Sequence, residues 1–173
     1  MLTDKYKNFI KQLAENFQSV VSIDKNYRYN INDLVEFVEG MGCTFKWNQT
    51  NNFSNKEKIH LSFDKNNVYN NNKENLKILF HEIWHFISIK IGISINQENS
   101  YNPASISIDE LAANFCSRIM IMPEKQFISL VINHTRQDGM CNIYSVAKDF
   151  GVDYLDVIAR GNDLNLWNTR DEK

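Results

Sequence analysis

Backbone breakers are scarce in this chain: two prolines and six glycines in 173 residues. That excludes collagen-like and Pro/Gly-rich disordered classes and leaves room for uninterrupted helices. Cysteine is scarce too. Cys43, Cys116 and Cys141 are odd in number and unrelated in spacing, which excludes a disulfide framework and predicts reduced thiols of a cytosolic protein. Nor does either sign of charge dominate. Nineteen basic against 21 acidic residues give a formal net charge of -2, too small for bulk electrostatic attraction to nucleic acid or an anionic membrane.

A long uncharged apolar run is also missing. The most apolar stretch, residues 78–95, contains His81, Glu82, His85 and Lys90, which speaks against a membrane span. The opening residues 1–7 mix charges and lead into an amphipathic stretch with no apolar signal core, so a cytoplasmic location is expected. Against these absences stand 43% hydrophobic residues, with eleven Phe, seven Tyr and three Trp. A chain of this length and composition can bury a genuine core.

Apolar residues recur at helical spacing at Tyr6, Phe9, Ile10, Leu13 and Phe17, and again at Leu34, Val35, Phe37, Val38 and Met41 after a candidate cap at Asn32. Between Cys43 and Tyr69 the period falls to two. Residues 43–47 and 59–63 alternate as strands, and Val68-Tyr69 is a candidate third, so a small antiparallel sheet is expected. The Asn-rich stretches 48–55 and 66–75 read as loops, since Asn tolerates left-handed backbone.

A long helix is predicted over 73–91 with Gly92 as its stop, and another from about Ile108 to Met122-Pro123. The polar loop between them, 93–107, carries Tyr101 and has the length of an active-site lid. Beyond Pro123 the pattern is helical around Phe127 to Val131 and over 143–150, turns at Gly151, and resumes over 154–160 ahead of Gly161. The expected architecture is α+β and mainly helical, with one domain over 1–123 and a helical segment over 124–173 packed on it.

His81-Glu82-Ile83-Trp84-His85 is an H-E-x-x-H sequence inside the predicted long helix. Residues four apart on an α-helix differ by about 40° in azimuth and about 6 Å in height, so both imidazoles face one ion. Glu82 lies about 60° from His85, within reach of a water on that ion without being needed as a ligand. A catalytic zinc site needs a third protein ligand and an open position. Asp109 and Glu110 are the downstream candidates. Glu110 is the better one, because Ala113 and Asn114 share its face: a small residue lets two helices approach, and Asn114 can steady Glu110 or an imidazole. One Zn²⁺ suits the mixed imidazole and carboxylate set, with manganese and iron left open by ligand type. His60 and His134 read first as ordinary hydrogen-bonded histidines.

At these residues the chain resembles the ImmA/IrrE family of metallopeptidases, whose pattern joins H-E-x-x-H to a later E-x-x-A-N and an apolar run ending in Met-Pro. The later pieces are Glu110-Leu111-Ala112-Ala113-Asn114 and Met120-Ile121-Met122-Pro123. The likeness is firm over residues 72–123 and continues more faintly through 146–152, which resembles that family's helix-turn-helix-like tail. Trp84 departs from the pattern, standing where the family has a small residue. It either crowds the metal's surroundings or lines a substrate subsite. Cys116 departs too, as a core substitution.

The resemblance implies a zincin-like fold with a gluzincin-like site: His81, His85 and Glu110 on zinc, and Glu82 catalytic. It also implies a substrate, a helix-turn-helix repressor on a prophage or other mobile element, cleaved to relieve repression. Tyr101, His134, Tyr144 and Arg160 are candidate second donors to the oxyanion. A competing expectation is a metal-binding anti-repressor that works without cutting, by protein or DNA contact. Direct DNA binding is disfavoured, because residues 145–173 hold four basic against six acidic side chains.

Overall fold

Thr3 caps the first helix, α1 (Asp4–Val20), by extended backbone and a side-chain oxygen that accepts from Tyr6 N. The same device recurs at Asn30 for α2 (Ile31–Gly40), Asp64 for α3 (Lys65–Tyr69) and Asn72 for α4 (Lys73–Lys90). Asn72, within the second Asn-rich stretch, thus serves a helix start. The cap of α2 is Asn30 and not Asn32, which is already in its first turn. The computed structural model of the chain describes residues 2–26, 28–47, 52–54, 60–92 and 107–167. Four further helices complete the described set: α5 (Ile108–Ile121), α6 (Glu124–Asn133), α7 (Ile143–Phe150) and α8 (Tyr154–Asp163).

Three short strands, β1 (Thr44–Trp47), β2 (Asn52–Ser54) and β3 (His60–Phe63), form one sheet in the order β1-β3-β2. The all-antiparallel expectation is corrected here. β3 lies between the others, parallel to β1 and antiparallel to β2. Period-two alternation identifies strands but carries nothing about their order or direction, which connections and long-range pairing set. β2 occupies part of the stretch read as an Asn-rich loop. Val68-Tyr69 lies in α3 and not in a strand, because the Asp64 cap starts a helical turn that buries Val68.

The chain divides into two compact units, Met1–Ile121 and Met122–Lys173; the sequence had placed the boundary after Pro123. In the first unit α4 packs along α5, and α1 also contacts α5. Ala112 and Ala113 are fully buried, as small residues must be where two helices approach closely. Ile10, Phe17, Leu34, Leu79, Phe80, Ile83 and Trp84 belong to the same buried set, each such side chain contributing about 1.5–3 kcal/mol of transfer free energy. Hydrogen bonds fix α5 further: Gln18 Nε2 donates to Ile119 O at 3.1 Å, and the buried Tyr29 hydroxyl donates to Met120 O. Tyr29 is itself held by Asn71, which has left-handed backbone (φ +57°) and bonds both Tyr29 N and Tyr29 O.

The second unit buries Phe127, Val146, Phe150 and Val157. Its buried Arg160 donates from Nε to Met122 O at 3.1 Å. Gly151 (φ +70°) ends α7 as expected. Gly161 does not end α8, which runs on to Asp163. A Cβ at position 161 would lie 1.9 Å from the Trp167 ring, so glycine there admits the indole and is not a stop signal. None of the three cysteines is in a disulfide, and Cys43 and Cys116 are buried. No helix among the described residues is long and apolar enough to cross a membrane.

Candidate metal centre

Helix α4 carries His81, Glu82 and His85 in its middle, where the i, i+4 spacing puts both imidazoles on one side. The partner carboxylates come from the first turn of α5. Ser107 Oγ accepts from Glu110 N at 3.0 Å, fixing where α5 begins. Asp109 and Glu110 thus sit at the positive end of a helix dipole, which favours their ionised forms.

His81 Nε2 and His85 Nε2 are 3.1 Å apart. Glu110 places one carboxylate oxygen 3.3 Å from His81 Nε2 and the other 3.3 Å from His85 Nε2. Ligands about 2.1 Å from a tetrahedral ion stand about 3.4 Å from one another. Each of these separations is close to that of neighbouring corners around a divalent cation, one ligand atom from each residue lies within 4.8 Å of the others, and the three form the one group of its kind among the described residues. The histidine side chains are recessed, 19% and 14% exposed, whereas Glu110 is 47% exposed. The cluster is thus open to solvent on its Glu110 side.

Asp109 is the residue that sequence reasoning passed over. Its Oδ2 lies 2.7 Å from His85 Nδ1. With that ring nitrogen donating to the carboxylate, His85 Nε2 keeps its lone pair for the metal, the pairing found behind many metal-bound histidines. Asn114 was expected to do this steadying. Its carbonyl accepts from Ser117 Oγ, and no hydrogen bond of its side chain to Glu110 or an imidazole is found among the described residues. Asp109 wins because it lies one residue before Glu110 and meets the far edge of the ring. The signal was present: of the two neighbouring carboxylates, the one not chosen as a ligand is next in line to hold a ligand.

Trp84 resolves one open question. It is fully buried, and its Nε1 donates to Asp109 Oδ1 at 3.3 Å, so it neither crowds the metal face nor lines an exposed subsite. Tyr6 meets the Trp84 ring edge-on at 6.4 Å. Burial pushes the Tyr6 phenol up, and the nearby Asp109 charge adds to this.

The electrostatics follow from the same packing. Burial pushes the Glu82 carboxyl up; the neighbouring His81 and His85 oppose this, and Glu110 reinforces it. For His85, burial would lower the pKa, but the hydrogen bond and charge of Asp109, aided by Glu110 and Glu82, outweigh it and raise it. Asp109 mirrors this. Burial would raise its carboxyl, and the His85 bond and charge together with Trp84 and Ser88 bring it below the ordinary range.

The oxyanion candidates fare differently. Tyr101 lies outside the described residues. His134 bonds Asp149 at 2.7 Å, Tyr144 meets Tyr154 in a tilted ring pair with centroids 5.1 Å apart, and Arg160 is buried, all within the second unit. No protein-family model, curated protein or solved structure matches this chain. Function has to be read from the chemistry of the site itself.

Proposed function

We propose that this chain is a zinc-dependent endopeptidase that cuts a helix-turn-helix transcriptional repressor in the cytoplasm and thereby relieves repression. One observation carries the reading: the His81 and His85 ring nitrogens stand 3.1 Å apart with a Glu110 carboxylate oxygen 3.3 Å from each, and the half-buried Glu82 carboxylate is close enough to feel all three residues. Two imidazoles and a carboxylate are the ligand set of hydrolytic zinc sites of this type. Zinc held there would supply Lewis acidity toward a carbonyl oxygen and acidify water at the fourth corner.

The protein's own residues then have separate tasks. Asp109 fixes the His85 ring so that Nε2 faces inward. Glu82 accepts a proton from the attacking water and returns it to the leaving amine nitrogen. Its raised pKa suits both transfers, since a base nearer neutrality gives the proton back more readily. The repressor substrate and the prophage or mobile-element setting rest on the resemblance of residues 72–123 to the ImmA/IrrE pattern, as does the zincin-like fold.

A second reading, a metal-bound anti-repressor that captures its partner without cutting, draws on the second unit. There Tyr144 and Leu155 are 70% and 59% exposed beside Asp153 and Asp156, a surface suited to protein contact and repellent to phosphate. Glu82→Gln separates the two. The variant should keep stoichiometric zinc and lose at least about a hundredfold in cleavage of a helix-turn-helix repressor substrate. Undiminished proteolysis would refute the mechanism, whereas repression relieved without cleavage by both proteins would favour the binder.

A further inference from the structure

The contacts behind His85 do not stop at Trp84. His85 Nδ1 meets Asp109 Oδ2 at 2.7 Å, and Asp109 Oδ1 accepts from Trp84 Nε1 at 3.3 Å. The second bond is longer than the usual N–H separation of about 3 Å, so it depends on how the indole is held. Packing holds it. Trp84 is fully buried, and the Tyr6 ring meets it at 71° with centroids 6.4 Å apart, the arrangement of an edge-on aromatic pair.

Tyr6 brings in a third element. It lies in the first turn of α1, whereas Trp84 is in α4 and Asp109 is at the start of α5. A local device fixes that turn: Tyr6 N donates to Thr3 Oγ1 at 3.3 Å and to Thr3 O at 3.0 Å, so the helix cap sets the backbone that carries the ring. Phe9, one helical turn on, stacks on Tyr6 at 6.4 Å with the rings within 6° of parallel. The half-buried phenol is also close enough to Asp109 to feel its charge. Asp109 keeps 22% of its side chain exposed, and a ring standing near it excludes water that would compete for its oxygens. Tyr6 thus packs on the indole and stands near the carboxylate to which that indole donates.

We propose that Tyr6 is a positioning residue for the metal centre: its ring holds Trp84 where the indole N–H steadies Asp109, and Asp109 in turn orients His85. The effect on zinc rests on the metal-centre reading; the effect on the His85 ring does not.

Tyr6→Ala in the full chain should lower zinc affinity about fivefold, the size that an edge-on ring pair can contribute, read by competition with a chromophoric chelator. Tyr6→Phe keeps the ring and should stay within about twofold of the native chain. A ring that only filled space would leave the His85 tautomers alone. In the metal-free chain, Tyr6→Ala should redistribute them in ring ¹⁵N spectra, toward the pattern of Asp109→Asn, and Tyr6→Phe should restore the native pattern. Tyr6→Leu, which fills most of the space, should shift the tautomers in the same way and serves where the alanine variant does not fold. Phe37→Leu is the control. It loosens the same unit at the Phe17–Phe37 pair and should change neither readout.

Native zinc affinity and native His85 shifts in Tyr6→Ala or, where that does not fold, in Tyr6→Leu would overturn the proposal. Equal losses in Phe37→Leu would overturn it too, because the effect would then be general loosening. So would a loss in Tyr6→Phe as large as in Tyr6→Ala, which would move the role from the ring to the hydroxyl. Failure of the native chain to bind zinc would instead strike the metal-centre reading, with the metal-free ¹⁵N comparison still deciding the role of Tyr6.

Discussion

Two histidines in this chain make the same bond. His85 and His134 each place a ring nitrogen 2.7 Å from an aspartate oxygen, Asp109 in the first unit and Asp149 in the second. Their surroundings differ. The other nitrogen of His85 faces His81 and Glu110 at 3.1 and 3.3 Å, and the ring is 14% exposed. His134 is 27% exposed, its aspartate 45%, and no third ligand gathers there among the described residues. A histidine–carboxylate pair is thus a surface ion pair by default. It becomes part of a candidate metal centre only where a second ring and a second carboxylate converge on the nitrogen left over.

The sharpest way to break this comparison is to remove each ring. His85→Ala should cost on the order of a thousandfold in zinc affinity, and His134→Ala less than about twofold, both read by chelator competition. Equal losses would mean that the triangle is not the site.

Next in size is the orienting carboxylate. Asp109→Asn should weaken zinc binding about 10- to 100-fold and redistribute the His85 tautomers, visible in ring ¹⁵N shifts. Asp149→Asn should do neither.

A pH titration sharpens the contrast further. The raised His85 pKa means that protons compete with the metal from above the ordinary histidine value of about 6.5, so zinc affinity should fall as pH falls through that region. In the metal-free chain the sign reverses. The ion pair's stabilisation is fully present between about pH 4 and pH 6.5. It is lost as pH rises through the raised pKa of His85 and as pH falls through the lowered pKa of Asp109. The difference in thermal midpoint between the native chain and Asp109→Asn should therefore peak in that window.

The smallest effect expected is on folding of the second unit. Breaking the exposed His134–Asp149 pair should change unfolding free energy by less than about 1 kcal/mol in urea titration. A larger loss would show that the pair does more than an exposed ion pair can.

Local pattern carried much of this molecule. The i, i+4 histidines lie on the helix where the apolar spacing puts them, Gly92 and Gly151 have the left-handed backbone of helix stops, and Pro123 follows the end of α5. Glu110 joins the two rings, as the small residues on its face suggested. Most of what failed was non-local, the exception being the helical state of Val68, which follows from the local Asp64 cap. The order and direction of the strands and the passage of α8 through Gly161 depend on partners distant in sequence or on one close aromatic contact. The choice of Asp109 over Asn114 belongs to the same class, since it depends on which edge of a ring faces which turn of a neighbouring helix.

By itself, then, the sequence determined which residues share a helical face, because helix geometry repeats every few residues and needs no knowledge of the rest of the chain. Only the tertiary structure decided that the first turn of α5 lies against the middle of α4, that Asp109 grips one nitrogen while Glu110 meets the other, and that Trp84 is buried with its Nε1 donating to Asp109. Those outcomes come from packing whole elements against each other. Differences of an ångström there separate a metal centre from an ordinary ion pair, and periodicity along a chain contains no such distances.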